Sequence, residues 1–162
     1  MRKYCISRQR YANQSSSSSS TIISASALMK EGKLHPSALM KKCLKRQRET
    51  PALNAFVYPT PDRALKAAET LDGASASSPL HGIPIAIKDN FITNGIPSTA
   101  SSKMLDDFIP PYSATVVERL ETAGAISVGK TNMDEYGMGS ATIFSHYGET
   151  VNPWSPPDGS IR

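Results

Sequence analysis

The chain has 162 residues, 39% of them hydrophobic, and a formal net charge of +4. That length holds one domain with a real core and hardly two, and no apolar run approaches the ~20 residues of a membrane-spanning helix. Residues 1–48 carry eleven Lys/Arg against one acid, Glu31, whereas residues 49–162 carry seven against thirteen. The basic surplus therefore belongs to the front of the chain, which argues against a general nucleic-acid binder with basic residues spread over a folded surface.

The front reads "MRKYCISRQRYANQSSSSSSTIISASALMK", with five basic residues, serine from Ser15 to Ser20, and no acid before Glu31. Arg-rich, Ser-rich and acid-free is the composition of a mitochondrial transit segment. A secretory signal needs an apolar core of about 7–15 residues, and nothing before Thr21 supplies one. A disordered basic tail with no addressing role shares this composition. On either reading residues 1–20 are expected to stay outside the fold, and transit composition predicts a mitochondrial, matrix location.

From Thr21 the pattern becomes helical, with a short helix over "TIISASALMKEGK" ending near Gly32. Pro36 suits the first position of a second helix, where Leu39, Met40, Cys43 and Leu44 share one face. Lys41, Lys42, Lys45, Arg46 and Arg48 crowd the opposite side, which is read as a solvated face rather than an RNA contact. A third helix, "TPDRALKAAETLDG", is expected to take Thr60 as cap and close at Gly73.

The run of Ile83, Ile85, Ala86 and Ile87 suits a buried strand with Pro84 near its start. A long irregular connection rich in Ser, Thr and Pro follows, of a length that is usually functional or disordered. Ser113 is then expected to cap a helix with Val116, Val117, Leu120 and Ala123 on one face, stopping at Gly124. "AISV" is a second strand, and Thr131/Asn132 are expected to start another helix running to about Gly139. Asp134 and Glu135 would sit in its first turn, where the macrodipole favours acids. Both strands read as interior members of a larger sheet. Helices alternating with short apolar strands predict an α/β domain.

"GAISVGKT", Gly124 to Thr131, matches the phosphate-cradling pattern G-x-x-x-x-G-K-[ST]. In that motif the strand precedes the first glycine, and a free backbone loop wraps the phosphate. Here the first glycine ends a helix and the middle residues form the strand. Nucleotide binding is therefore rejected, and Lys130 is expected to be a strand-end lysine. Cys5 and Cys43 match no metal or redox spacing, and Cys43 reads as a small buried hydrophobe of a reducing compartment. His35, His81 and His146 show no metal spacing.

Lys88 directly follows the apolar strand and precedes Asp89, where the chain leaves the sheet. An apolar setting disfavours charged lysine and frees a neutral amine to act as a base. A solvated lysine, or one paired with Asp89, explains the same position.

"LHGIPIAIKDNF", "ATVVERLETAGAISVGKTNMDEYGMGS" and "YGETVNPW" resemble the front part of the amidase signature family, from about Thr21 to Trp154. Within it they are most similar to the glutaminase subunits of tRNA-dependent amidotransferases, in their mitochondrial form. "PPYSATVVERL" and "KTNMDEYGMGSAT" separate that branch from ordinary amidases. The resemblance implies a mixed sheet flanked by helices, present here as its N-terminal part over residues 21–162. It implies that Lys88 is the base of a Ser–Ser–Lys triad that releases ammonia from glutamine through an acyl-enzyme. Partners implied are a B-type and a small C- or F-type subunit, with tRNA engaged through the complex. No cofactor is implied in this chain, ATP and Mg being used by a partner subunit of the complex.

The family places both serines in a Gly/Ser-rich run after "NPW". This sequence reads "NPWSPPDGSIR", and Ser160 lacks the glycine-rich frame, so neither serine is assigned to it. No triad role maps onto Ser98, Ser101 or Ser102. The chain as written carries only the lysine and is expected to be inactive alone. A shortened partner-binding form and an amidase of another substrate remain open alternatives.

Overall fold

The computed structural model describes residues 21–153. The expected targeting segment, residues 1–20, and Ser160 lie outside the described residues. Helix α1, Ile22–Lys30, opens with a reciprocal cap: the Thr21 hydroxyl accepts from the Ser24 amide, and Ser24 Oγ accepts from the Thr21 amide. Two of the helix's orphan N–H groups are thereby satisfied.

Helix α2, Pro36–Glu49, begins on proline as expected, and Met40 and Leu44 are buried one turn apart. Its N-terminal cap comes from elsewhere: the Ser37 amide donates to the Asp72 carboxylate at 3.0 Å. Cys43 is partly buried against the core, and burial pushes its thiol pKa up while nearby Arg46 pulls it down. The basic residues of α2 lie at its surface, with Lys45 pairing to Glu49 at 3.9 Å.

Strand β1, Phe56–Pro59, precedes helix α3, Pro61–Leu71. Ala64 and Ala68 are fully buried on α3, and such small side chains let a helix approach its neighbours closely. The core cluster joins them to Met40 and Leu44 of α2 and to Ile126 and Val128. Full burial of side chains like Met40 and Leu44 contributes about 1.5–3 kcal/mol each. Thr60 does stand at the cap position, but its hydroxyl makes no cap bond.

Strand β2, Pro84–Lys88, is followed by a connection whose regular structure is one short 3-10 turn, Lys103–Leu105, and then by helix α4, Thr115–Thr122. Strand β3, Ile126–Thr131, lies between the other two: parallel to β2 and antiparallel to β1, in the order β1-β3-β2. The parallel pair needs a long crossover, which the connection and α4 supply.

Three expectations are corrected. The cap of α4 is Ala114, because Ser113 Oγ is already accepting from the Asn94 amide at 2.9 Å. On α4 only Val117 is buried outright, and Val116 is 43% exposed. No helix runs from residue 131 to 139. Strand β3 keeps Thr131, and a single 3-10 turn, Glu135–Gly137, follows. The reason lies in two side chains that compete with helix bonding. Asn132 Nδ2 donates to the carbonyls of Asn54 and Gly148, and the Asp134 carboxylate accepts from the amides of Ala141, Thr142 and Phe144. Asp134 therefore organises a loop rather than a helix's first turn.

Candidate active site

The end of β2 separates its side chains by strand alternation. Ile87 is 5% and Asp89 1% exposed on the buried side, while Lys88 between them is exposed, so the apolar setting expected around Lys88 is not found among the described residues. Backbone bonds hold the peptide groups around Lys88. The Asp89 amide donates to the Thr131 carbonyl at 3.2 Å, and the Phe91 amide donates to the Lys88 carbonyl at 2.9 Å. The four ion pairs among the described residues do not include Lys88.

Asp89 carries the packing of the loop behind it. Its Oδ2 accepts from the Thr99 amide (3.1 Å), the Thr99 hydroxyl (2.5 Å) and the Ser101 amide (3.2 Å). Those bonds help hold Ala100 and Ser101 at φ of 49° and 52°, a left-handed backbone that costs an L-residue about 1–2 kcal/mol. Ser101 Oγ also accepts from the Met133 amide, and Ser102 Oγ donates to Glu135 Oε1. All three serines of this loop, Ser98, Ser101 and Ser102, are buried.

Lys130 differs most from its expected role. It does lie one residue from the end of β3, but it is a fully buried lysine, 0% exposed. Its Nζ donates to the Phe91 carbonyl at 2.7 Å and to Ser98 Oγ at 2.6 Å, and it faces Asp89 Oδ1 at 3.4 Å. Burial lowers its proton affinity, and the Asp89 carboxylate opposes that shift. The sequence offers Lys88 as the partner of Asp89; the structure gives it Lys130. A lysine inside a strand that is otherwise uncharged is the one local signal of this.

The phosphate-loop pattern now has a structural account. Gly124 follows the end of α4 at φ +85°, where a Cβ would meet the His81 backbone at 3.0 Å. Gly129 lies within β3 at φ +143°, and a Cβ there would meet the Tyr58 carbonyl at 2.6 Å. Both glycines serve packing, and the lysine is turned inward. Among the described residues no His, Cys, Asp and Glu cluster fits a metal ion. His81 is buried and His146 stacks edge-on against Tyr147.

This mixed sheet with its flanking helices belongs to a known family. The family model described as Amidase fits residues 38–158, and the chain belongs to that family. Among individual relatives, it is 47% identical over 148 residues to the A-type subunit of glutamyl-tRNA(Gln) amidotransferase from Chloroflexus aurantiacus, covering 86% of this chain and 30% of that one. It is 47% identical over 135 residues to the mitochondrial A-type subunit of Xenopus laevis, covering 81% of this chain and 26% of that one. The crystal structure of an amidase family protein from Bacillus anthracis superposes with a TM-score of 0.75 at 30% identity, over 85% of this chain and 30% of that one. The chain thus spans less than a third of the length of the relatives it matches.

Proposed function

We propose that this chain forms the base-bearing front segment of the A-type, glutaminase subunit of a mitochondrial glutamyl-tRNA(Gln) amidotransferase. The observation that carries the reading is the end of β2: Lys88 stands exposed between two buried neighbours, with its flanking peptide groups bonded. The likeness to A-type subunits supports the same assignment.

In this reading Lys88 is the base: a proton passes to its amine from a bridging serine, which takes one from the nucleophilic serine. The serine oxygen then attacks the side-chain carbonyl carbon of glutamine. Ammonia leaves with a proton returned along the same path, and water hydrolyses the glutamyl ester to glutamate. Backbone N–H groups beside the nucleophile stabilise the oxyanion. The ammonia passes to a B-type partner, where ATP and Mg activate the glutamate on mischarged tRNA, and a small C- or F-type subunit completes the complex. Cofactor binding belongs to the B-type partner. The matrix location rests on the Arg- and Ser-rich front and on mitochondrial relatives. A reporter fused to residues 1–35 is expected to enter mitochondria, and cytosolic retention contradicts the location.

An ammonia bypass tests the assignment. In the complete complex, Lys88→Ala is expected to abolish Gln-tRNA(Gln) formation from glutamine and preserve it from ammonium chloride. Equal loss with both nitrogen donors rejects a glutaminase role for Lys88.

A further inference from the structure

We propose that Lys130 is a positioning residue for the base: from the buried side of the sheet it fixes the exit of β2 on which Lys88 stands. The inference rests on the reading of Lys88 as the base. Lys130 is the register partner of Ile87, and Lys88 that of Thr131. Its ammonium reaches past that register to three points of the chain just beyond Lys88: the Asp89 carboxylate, the Phe91 carbonyl and Ser98 Oγ. A lysine ammonium has three N–H donors, and these three groups are its neighbours. A hydrophobic side chain would fill the same space without tying any of them to β3.

The ties continue outward. Asp89 holds Thr99 and Ser101 with its second oxygen, and Ser98 Oγ accepts from the Thr93 amide at 3.2 Å. One buried cation thus anchors both ends of the segment from Asp89 to Ser98, the first residues of which carry the Lys88 backbone bonds. Misplacing a reacting group by about 1 Å can cost roughly 10²-fold in rate, so the rigidity of this exit matters to turnover.

A second role for the same pair is excluded by geometry. A Lys–Ser contact of 2.6 Å resembles an activated nucleophile. Ser98 Oγ, however, directs its own proton to the Ile96 carbonyl at 3.2 Å, and the two side chains are 3% and 0% exposed. Substrate has no approach to either.

The test uses the complete glutaminase subunit in its complex, with glutamine as substrate. The double variant Lys130→Met/Asp89→Asn removes both buried charges and leaves an amide oxygen to accept from Thr99 and Ser101. It is expected to lose at least about tenfold in kcat with KM for glutamine changed less than about twofold. A folded double variant with unchanged kcat, or one altered in KM alone, overturns the proposal. Should the double variant fail to fold, Ser98→Ala decides, because it removes one tie and keeps the charge pair. A loss of about threefold or more in kcat at constant KM supports the proposal, and unchanged kcat overturns it. Lys88→Ala is measured alongside: if it keeps full turnover, the base reading has failed, and the positioning role fails with it. If Lys88→Ala is inactive while the Lys130 and Ser98 variants are unimpaired, only the positioning role is lost.

Discussion

Lys88 and Asp89 are adjacent in sequence yet leave β2 in opposite directions, one exposed and the other 1% exposed and facing Lys130 at 3.4 Å. The carboxylate next to the candidate base is therefore engaged by a different lysine, distant along the chain. Lys88 is left unpaired by its nearest acid.

The stability of the Lys130–Asp89 pair is measurable apart from activity. Lys130→Met alone strands the Asp89 carboxylate in the interior, a change expected to cost about 3–5 kcal/mol. Adding Asp89→Asn should recover much of that loss, since the uncompensated charge is gone. Urea unfolding of the unaltered protein and both variants checks the order. A double variant less stable than Lys130→Met would contradict it.

Gly129 makes a backbone prediction. Gly129→Ala places a Cβ 2.6 Å from the Tyr58 carbonyl and 2.9 Å from Pro59 Cα, both on β1. It should destabilise by at least about 2 kcal/mol through overpacking and strain. Gly73 has φ +83° but open space around its Cβ position, so Gly73→Ala should cost only the left-handed backbone, about 1 kcal/mol. Equal melting temperatures for the two variants would mean that β1 does not approach β3 this closely.

Helices α1 to α3 are legible in the sequence because their apolar residues recur at helical spacing and Pro36 and Pro61 mark two starts. Strands β2 and β3 are legible as isoleucine- and valine-rich runs. Strand β1 is not: Phe56–Pro59 is four residues long, half buried to exposed, and owes its strand form to pairing with β3. The stretch 132–139 is misleading because Asp134 and Glu135 look like first-turn acids. The Asp134 carboxylate is instead used seven to ten residues downstream, which no local pattern displays. Of the site, Lys88 is named by a family resemblance, whereas the burial of Lys130 depends on contacts distant in the chain.

Asp134 supplies a pH prediction. Amide donation, from Phe144 foremost and also from Thr142 and Ala141, holds its carboxyl below the usual aspartate range against the opposing effect of burial. With the folded value depressed, its contribution is complete above the ordinary aspartate value near 4. That contribution is lost as pH falls through the lower folded value. The amide resonances of Thr142 and Phe144 should move together in acid with a midpoint below that of a free aspartate. A midpoint at or above about 4 would show that the loop is not organised by this carboxylate.

The most direct test of Lys88 as the base is the steady-state glutaminase rate of the complete glutaminase subunit bearing Lys88→Ala, read as kcat and KM for glutamine. Loss of a general base predicts a fall in kcat of about 10²–10⁴-fold with KM little changed. A variant that folds and turns over within about threefold of the unaltered protein would contradict the assignment.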